Sequence, residues 1–207
     1  MVWNYVTAVA ITVVVSYLLG CCNTSIVISK YLLKDDVRNH GSGNAGLTNF
    51  FRVFGKKKIL YVILADVLKT VGSVLIGAFI LGYFCGQPVI GKLLGGLFCM
   101  VGHMYPVMFD LKGGKGVLAG GTMAIFMGWK VALIVWGLFF LCLLLTRFVS
   151  LGSLSAAVAF PFAVGFVYQN WIYTILALVV GGLIIWRHKE NILRLVHGQE
   201  SKLQFHK

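Results

Sequence analysis

"DLKGGKGVLAGGTMAIFMG", residues 110–128, decides the topology of the chain. Its first part sets Lys112 and Lys115 around the pair Gly113–Gly114. Its second part, Val117 to Gly128, is apolar but only 12 residues long. A transmembrane helix needs about 20 mostly apolar residues. If the short segment crosses the membrane, it counts as a span of its own. If it only dips in, the count changes, and the parity can change with it. Lys is costly in hydrocarbon and Gly weakens helices, so a cationic glycine loop here is not explained by packing alone.

The composition supports a membrane reading on both sides of this stretch. The 207 residues fit one domain, 1–207. The chain is 59% hydrophobic and 12% charged, with a mean hydropathy of +0.89. A soluble domain carries about 25% charged residues. No basic stretch precedes the first apolar run and no small-residue cleavage site follows it, so that run reads as a retained span. The net charge of +12 sits in loops between apolar segments. That placement points to a membrane surface and an anionic substrate rather than to nucleic acid. Cys21, Cys22, Cys85, Cys99 and Cys142 form no CxxC pair and lie in or beside apolar runs. They read as small hydrophobes, not as a disulfide framework or a zinc site.

The expected architecture is an all-α, polytopic integral membrane protein with about seven transmembrane helices. The spans are Val2–Leu33, long and tilted or bent near Gly20; Ile59–Phe84; Val89–Phe109; the short Val117–Gly128; Val131–Thr146; Leu151–Tyr168; and Trp171–Trp186. With seven crossings, the 34–58 loop, the Lys112 loop, Arg147 and the tail share one face. With Lys30 near the end of the first span, that face collects 15 of the 18 Lys and Arg residues. The positive-inside rule makes it cytoplasmic, with the N-terminus outside and the C-terminus inside. A re-entrant short segment paired with its neighbour gives five crossings and the same sidedness. No internal repeat or inverted pair of broken helices is present, unlike many secondary transporters. Small residues at helix-contact spacing, such as Gly91 and Gly95, read as close helix packing.

Three polar clusters carry the candidate chemistry. "HGSGNAGLTNFFR", His40 to Arg52, is a glycine loop feeding a helix start, with donors at Ser42 and Asn44. Such a junction presents unpaired N–H groups and the positive end of a helix dipole. Thr48 and Arg52 share a helix face there, and Arg offers a fork for phosphate. In the opening stretch, the N–H groups of Gly113 and Gly114 can curl into an anion nest, with Lys112 and Lys115 adding charge. A Walker A loop requires Ser or Thr after the Lys, and Gly116 stands there, which disfavours nucleotide hydrolysis. The third cluster, "RHKENILRL" from Arg187 to Leu195, reads as helical, with His188 and Asn191 on one face. Asp66 and Lys69, three apart inside the second span, are spaced to pair. His103 reads as a hydrogen-bonded structural residue. Taken alone, these residues describe a membrane protein that handles a phosphorylated substrate. They do not separate an enzyme from an organic-phosphate transporter or a lipid-binding assembly protein.

The motifs resemble the bacterial acyl-phosphate:glycerol-3-phosphate acyltransferases over nearly the whole chain. The likeness lies in "SYLLGCCNTSIVISKYL", "HGSGNAGLTNFFRVFGKK", "LADVLK", "GHMYPVMFDLKGGKGV", "TRFVSLGSL" and "RHKENILRLVHGQESK", in that order. Cys21-Cys22-Asn23 replaces the usual Ser-Ile-Pro, and Leu118-Ala119 replaces Ala-Thr. The resemblance implies a seven-span acyltransferase of the bacterial inner membrane. It passes an acyl group from acyl-phosphate to the first hydroxyl of glycerol 3-phosphate, giving lysophosphatidic acid and phosphate. No cofactor, metal, nucleic acid or obligate protein partner is expected. His40, His103 and His188 each lack an Asp five residues on, so the HxxxxD box of other glycerolipid acyltransferases is absent. On this resemblance Ser42, Asn44, Asn49 and Arg52 form a phosphate-binding and positioning wall, and Thr48 is a further substrate-binding residue. Lys112, Gly113, Gly114, Lys115 and Gly116 form a phosphate nest. His188 and Asn191 orient the hydroxyl or the leaving phosphate, with Ser150 and Lys69 as secondary candidates. A substrate phosphate, rather than a protein base, is expected to take the hydroxyl proton.

Overall fold

The computed structural model describes residues 2–56 and 58–203. Lys57 and Lys207, both counted in the charge reading, lie outside the described residues. Among the described residues the regular structure is entirely helical, as the apolar runs require. By packing, the chain divides into two compact units, Met1–Met123 and Ala124–Lys207.

The first unit is built on α1 (Val2–Cys21), α4 (Ile59–Cys85) and α5 (Pro88–Met104). After α1 the chain breaks at Cys22–Asn23, then resumes as α2 (Thr24–Val27) and one wide helical turn, Ile28–Leu32. Asn23 makes the break: its backbone is extended, and its side chain accepts the Ile26 N–H to start α2. A short helix, α3 (Leu47–Phe54), follows the first glycine loop. Helix α4 ends on Gly86 in the left-handed region, φ 66°. Gly86 N–H bonds Gly82 O and Gln87 N–H bonds Leu81 O, which closes the helix end. Pro88 then opens α5, where its missing N–H costs nothing.

Helix α5 ends at Met104 because Pro106 disfavours helix at Tyr105, but the apolar span runs on through the turn Val107–Phe109 to the expected Phe109. Where α1, α4 and α5 meet, glycines let backbones touch. A Cβ on Gly77 or Gly91 would collide with the other's carbonyl, and one on Gly95 would collide with Ser73 O. Gly20 and Gly102 meet Cys99 O and Tyr17 O in the same way. Such packing drives helix association in lipid, where burial from water is not available.

The unit boundary falls inside α6 (Val117–Phe126), the apolar part of the opening stretch. Its 10 residues rise about 15 Å, roughly half the hydrocarbon thickness. The second unit holds α7 (Trp129–Thr146), α8 (Val149–Tyr168), α9 (Trp171–Arg187) and α10 (Lys189–Val196). The α7–α8 break is shorter than expected, since Val149 and Ser150 are already helical. Arg147 and Gln169 end α7 and α8 in the left-handed region. Asn170 caps α9 by accepting the Ile172 and Tyr173 N–H groups. Pro161 lacks the N–H that would bond Ala157 O; Gly181 of α9 lies against that carbonyl, where a Cβ would collide. Helix α10 leaves α9 at a 58° bend on His188.

Among the described residues, five helices are long and apolar enough to cross a membrane, and α9 with α10 makes a sixth if the bent pair is one span. The expected seven is reached only by also counting α6. The molecule is an integral membrane protein with an all-helical fold.

Candidate functional site

In the first unit, the loop of the first cluster is held by two side chains. The Asp36 carboxylate accepts the Arg38 N–H at 2.9 Å and so caps the single turn Val37–Asn39. It also takes the Arg38 guanidinium, with Nη2 to Oδ2 at 2.8 Å. Hydrogen bonds from Arg38 hold the Asp36 carboxyl below its ordinary range despite partial burial. Arg38 Nη1 reaches on to the Phe109 carbonyl at 2.9 Å, tying the first loop to the segment just before Lys112.

Asn49 is the second holder, and this changes the role expected for it. It is 3% exposed. Its Oδ1 accepts the Ser42 N–H at 2.9 Å, and its Nδ2 donates to the carbonyls of Val37 at 3.1 Å and His40 at 3.0 Å. The amide is thus committed to shaping the loop rather than standing in a phosphate wall. Gly41, at φ 58°, lies where a Cβ would strike Asn49 Oδ1. Ser42 and Arg52 are exposed, while Asn44 and Thr48 are half-buried. Thr48 and Arg52 lie one turn apart on α3, as their spacing implied.

The second loop also departs from expectation in one respect. The N–H groups of Gly113 and Gly114 do not form an outward nest. They donate to Met104 O at 3.1 Å and His103 O at 3.0 Å. The glycines are required by proximity instead. A Cβ on Gly113 would collide with His103 O, and one on Gly114 with the His103 ring. Asp110 and Leu111 precede them at φ 56° and 57°, two non-glycine residues in the left-handed region. Each costs about 1–2 kcal/mol. The turn is held by Leu111 N–H to Pro106 O and Lys112 N–H to Phe109 O, both 3.1 Å.

Lys112 is exposed and Lys115 half-buried. Gly116, at φ 75°, turns the chain into α6. The N–H groups of Val117, Leu118 and Ala119 precede the first helical bond, Gly120 N–H to Gly116 O at 2.9 Å. Donors for an anion are therefore at the start of α6, not at the glycine pair. The two loops share one small core, in which Val37, Ala45, Phe50 and Phe109 pack with Ile26, Ile28 and Val62.

Behind the second loop lies a buried polar group. Lys69 pairs with Asp66 at 2.7 Å, as the spacing predicted, and both side chains are at most 7% exposed. Lys69 Nζ also lies 3.1 Å from His103 Nδ1. An ammonium only donates, so Nδ1 is the acceptor in this contact, and the same nitrogen stands 4.0 Å from Asp66 Oδ2. Thr24 Oγ1 donates to Asp66 at 3.1 Å, and Asn23 Nδ2 to His103 O at 3.3 Å.

In the second unit, His188 is 2% exposed and its Nδ1 lies 2.7 Å from Ile184 O. A carbonyl only accepts, so Nδ1 holds a proton and Nε2 is the acceptor of the neutral ring. Asn191 Nδ2 and Arg194 Nε both donate at 2.7 Å to the Glu200 carboxylate. Burial pushes the Glu200 carboxyl up, but those hydrogen bonds outweigh it and hold it below its ordinary value. Ser150, buried in the first turn of α8, lies beside the same carboxylate.

Sequence reasoning did not single out Asn23, Asp36, Arg38 or Glu200. Glu200 had one signal, an acid in a basic tail. Asn23 and Arg38 act through contacts distant along the chain, with His103 and Phe109, and Asp36 acts through Arg38.

Comparison with known proteins follows the same residues. The family profile described as Glycerol-3-phosphate acyltransferase matches residues 10–198. A glycerol-3-phosphate acyltransferase of Prochlorococcus marinus (strain MIT 9312) is 41% identical over 191 residues, covering 91% of this chain and 94% of that protein. One of Thermoanaerobacter pseudethanolicus is 36% identical over 193 residues, covering 93% and 94%. Among solved structures, the glycerol 3-phosphate form of PlsY (YgiH), an integral membrane glycerol 3-phosphate acyltransferase, matches with a TM-score of 0.85 and 36% identity. It covers 95% of this chain and 96% of that one. The lysophosphatidic acid form of PlsY matches with a TM-score of 0.81 and 35% identity, covering 95% of both chains.

Proposed function

The chain belongs to the glycerol-3-phosphate acyltransferase family, and from that premise we propose that it moves a fatty acyl group from acyl-phosphate to the sn-1 hydroxyl of glycerol 3-phosphate. The products are lysophosphatidic acid and inorganic phosphate. The whole chain, 1–207, acts as one acyltransferase in the bacterial inner membrane, with its chemistry on the cytoplasmic face. The observation that carries this reading is the likeness, over 95% of the chain, to a solved acyltransferase in a glycerol 3-phosphate form and a lysophosphatidic acid form.

The residues suit the reaction. Acyl-phosphate is a mixed anhydride, already activated, so the protein's task is to hold two anions together and stabilise developing charge. Ser42, Asn44, Thr48 and Arg52 of the first loop bind and position one phosphate, on a frame that Asn49 holds. Lys112, Lys115 and the start of α6 receive the other, and Gly113, Gly114 and Gly116 give the loop its path. The glycerol oxygen attacks the acyl carbonyl carbon, a new C–O bond forms, and the C–O bond to phosphate breaks. His188 and Asn191 orient the hydroxyl or the departing phosphate, with Ser150 in support. The hydroxyl proton passes to a substrate phosphate. The acyl chain enters from the bilayer between spans.

The test uses purified protein in lipid with acyl-phosphate and glycerol 3-phosphate. Phosphate release and lysophosphatidic acid are expected, with none from acyl-coenzyme A or acyl carrier protein. No product from acyl-phosphate, together with counterflow of glycerol phosphate across liposomes, would make the protein a transporter instead.

A further inference from the structure

Lys69 is a charged side chain inside a membrane span, and its ammonium touches four acceptors. These are Asp66 Oδ1 at 2.7 Å, Cys22 O at 3.0 Å, His103 Nδ1 at 3.1 Å and Gly20 O at 3.4 Å. An ammonium has only three N–H bonds, so no donor remains for a substrate phosphate. Two of the acceptors are carbonyls at the break after α1. In an unbroken helix the Ile26 N–H would reach the Cys22 carbonyl, but here it donates to Asn23 Oδ1 at 3.3 Å. Lys69 takes its place.

The His103 contact gives this arrangement a consequence for the loop. Lys69 fixes the ring nitrogen that faces it, and the other side of the ring lies where a Cβ on Gly114 would collide with Nε2. The His103 carbonyl accepts the Gly114 N–H at 3.0 Å and Asn23 Nδ2 at 3.3 Å. One histidine thus joins the buried ion pair and the helix break to the loop that carries Lys112 and Lys115. Burying such a pair in lipid is costly, and apolar packing of equal volume would hold the helices as well.

We propose that Lys69 is a positioning residue for acyl transfer. With Asp66 it fixes the His103 ring and, through that ring, the Gly113–Gly116 loop that presents Lys112 and the start of α6 to a substrate phosphate. This rests on the acyl-transfer reading above, and it moves Lys69 from substrate contact to control of the loop.

The experiment is steady-state kinetics in lipid with each substrate varied in turn. Lys69→Met is expected to raise, by about tenfold or more, the KM of the same substrate whose KM rises in Lys112→Ala, with kcat and the other KM within about threefold. A parallel loss in kcat and both KM values overturns the proposal, because it marks general damage. If Lys69→Met does not fold, two His103 variants decide. His103→Asn keeps an acceptor near the Nδ1 position and His103→Leu removes it, so Asn should stay within about threefold of wild type while Leu shows the tenfold defect. Equal KM values for the two overturn the proposal. If the wild type forms no lysophosphatidic acid, the acyl-transfer reading has failed, and thermal stabilisation by glycerol 3-phosphate becomes the readout. A shift present in wild type and lost in His103→Leu supports positioning; equal behaviour overturns it.

Discussion

At the scale of the residue, the polar side chains divide into those that hold loops and those that face outward. Asn49, Arg38 and Lys69 bond to backbone or to other buried or half-buried side chains, while Ser42, Arg52 and Lys112 are exposed. Sequence alone shows donors of the right type near glycine turns. It does not show which donors the fold has already committed, because their partners lie up to 71 residues away, as for Arg38 and Phe109. His188 gives the sharpest residue-scale prediction. Its Nδ1 donates to Ile184 O, so Nε2 can accept a hydrogen bond from the glycerol hydroxyl. His188→Ala is expected to lower kcat by about 100-fold. If a substrate phosphate takes the proton, the acidic limb of the pH–rate profile persists in the variant, since a phosphate with a second pKa near 6 stops accepting below it. Disappearance of that limb would instead identify His188 as the general base.

At the scale of the element, apolar length made the helices legible, and glycine and proline set what length could not. Helix α5 stopped at Met104 because of Pro106, although the span runs on to Phe109, and α7 ended on Arg147 in the left-handed region. Gly91 and Gly95 read as packing positions, and the α4–α5 contact bears that out, with backbone against backbone at Gly77 and Ser73. Gly91→Leu should therefore destabilise by about 1–3 kcal/mol, since the added side chain forces α5 away from α4. Gly137 of α7 meets nothing within 4 Å, so Gly137→Ala should be neutral or gain up to about 1 kcal/mol of helix propensity. Thermal unfolding in detergent compares the two. A Gly91→Leu protein as stable as wild type would remove the close-packing account of the α4–α5 pair.

At the scale of the whole molecule, two predictions concern charge. Asp36 and Glu200 both have carboxyls held below their ordinary values. A depressed carboxyl adds stability that is present above its unfolded pKa and lost as pH falls through the folded pKa. Stability should therefore fall below about pH 4. Glu200→Gln should cost about 2 kcal/mol at pH 7, through loss of hydrogen bonds to a charged acceptor, and show a smaller further loss in acid. Melting temperatures from pH 7 to pH 3 measure both, and parallel curves for the two proteins would exclude Glu200 as a contributor. The second prediction is sidedness. In a protein freed of its native cysteines, a cysteine at Gln169 should react with an impermeant reagent from outside, and one at Lys202 only after permeabilisation. The reverse pattern would refute the positive-inside assignment. By itself the sequence determined the all-helical membrane fold, because hydrocarbon admits only backbones whose bonds are satisfied internally, and continuous apolar runs of about 20 residues meet that condition as helices. It also pointed to the polar stretches proposed above to carry the chemistry, because bases are too costly in lipid to stand beside apolar runs without a use. Only the tertiary structure decided what each polar group does. It turned the Gly113 and Gly114 N–H groups inward to Met104 and His103, and it closed Lys69 over the broken end of α1. The physical reason is that a hydrogen bond has two ends. Sequence names the donor, but only the packed chain brings a distant acceptor within 3 Å and removes that donor from any ligand's reach.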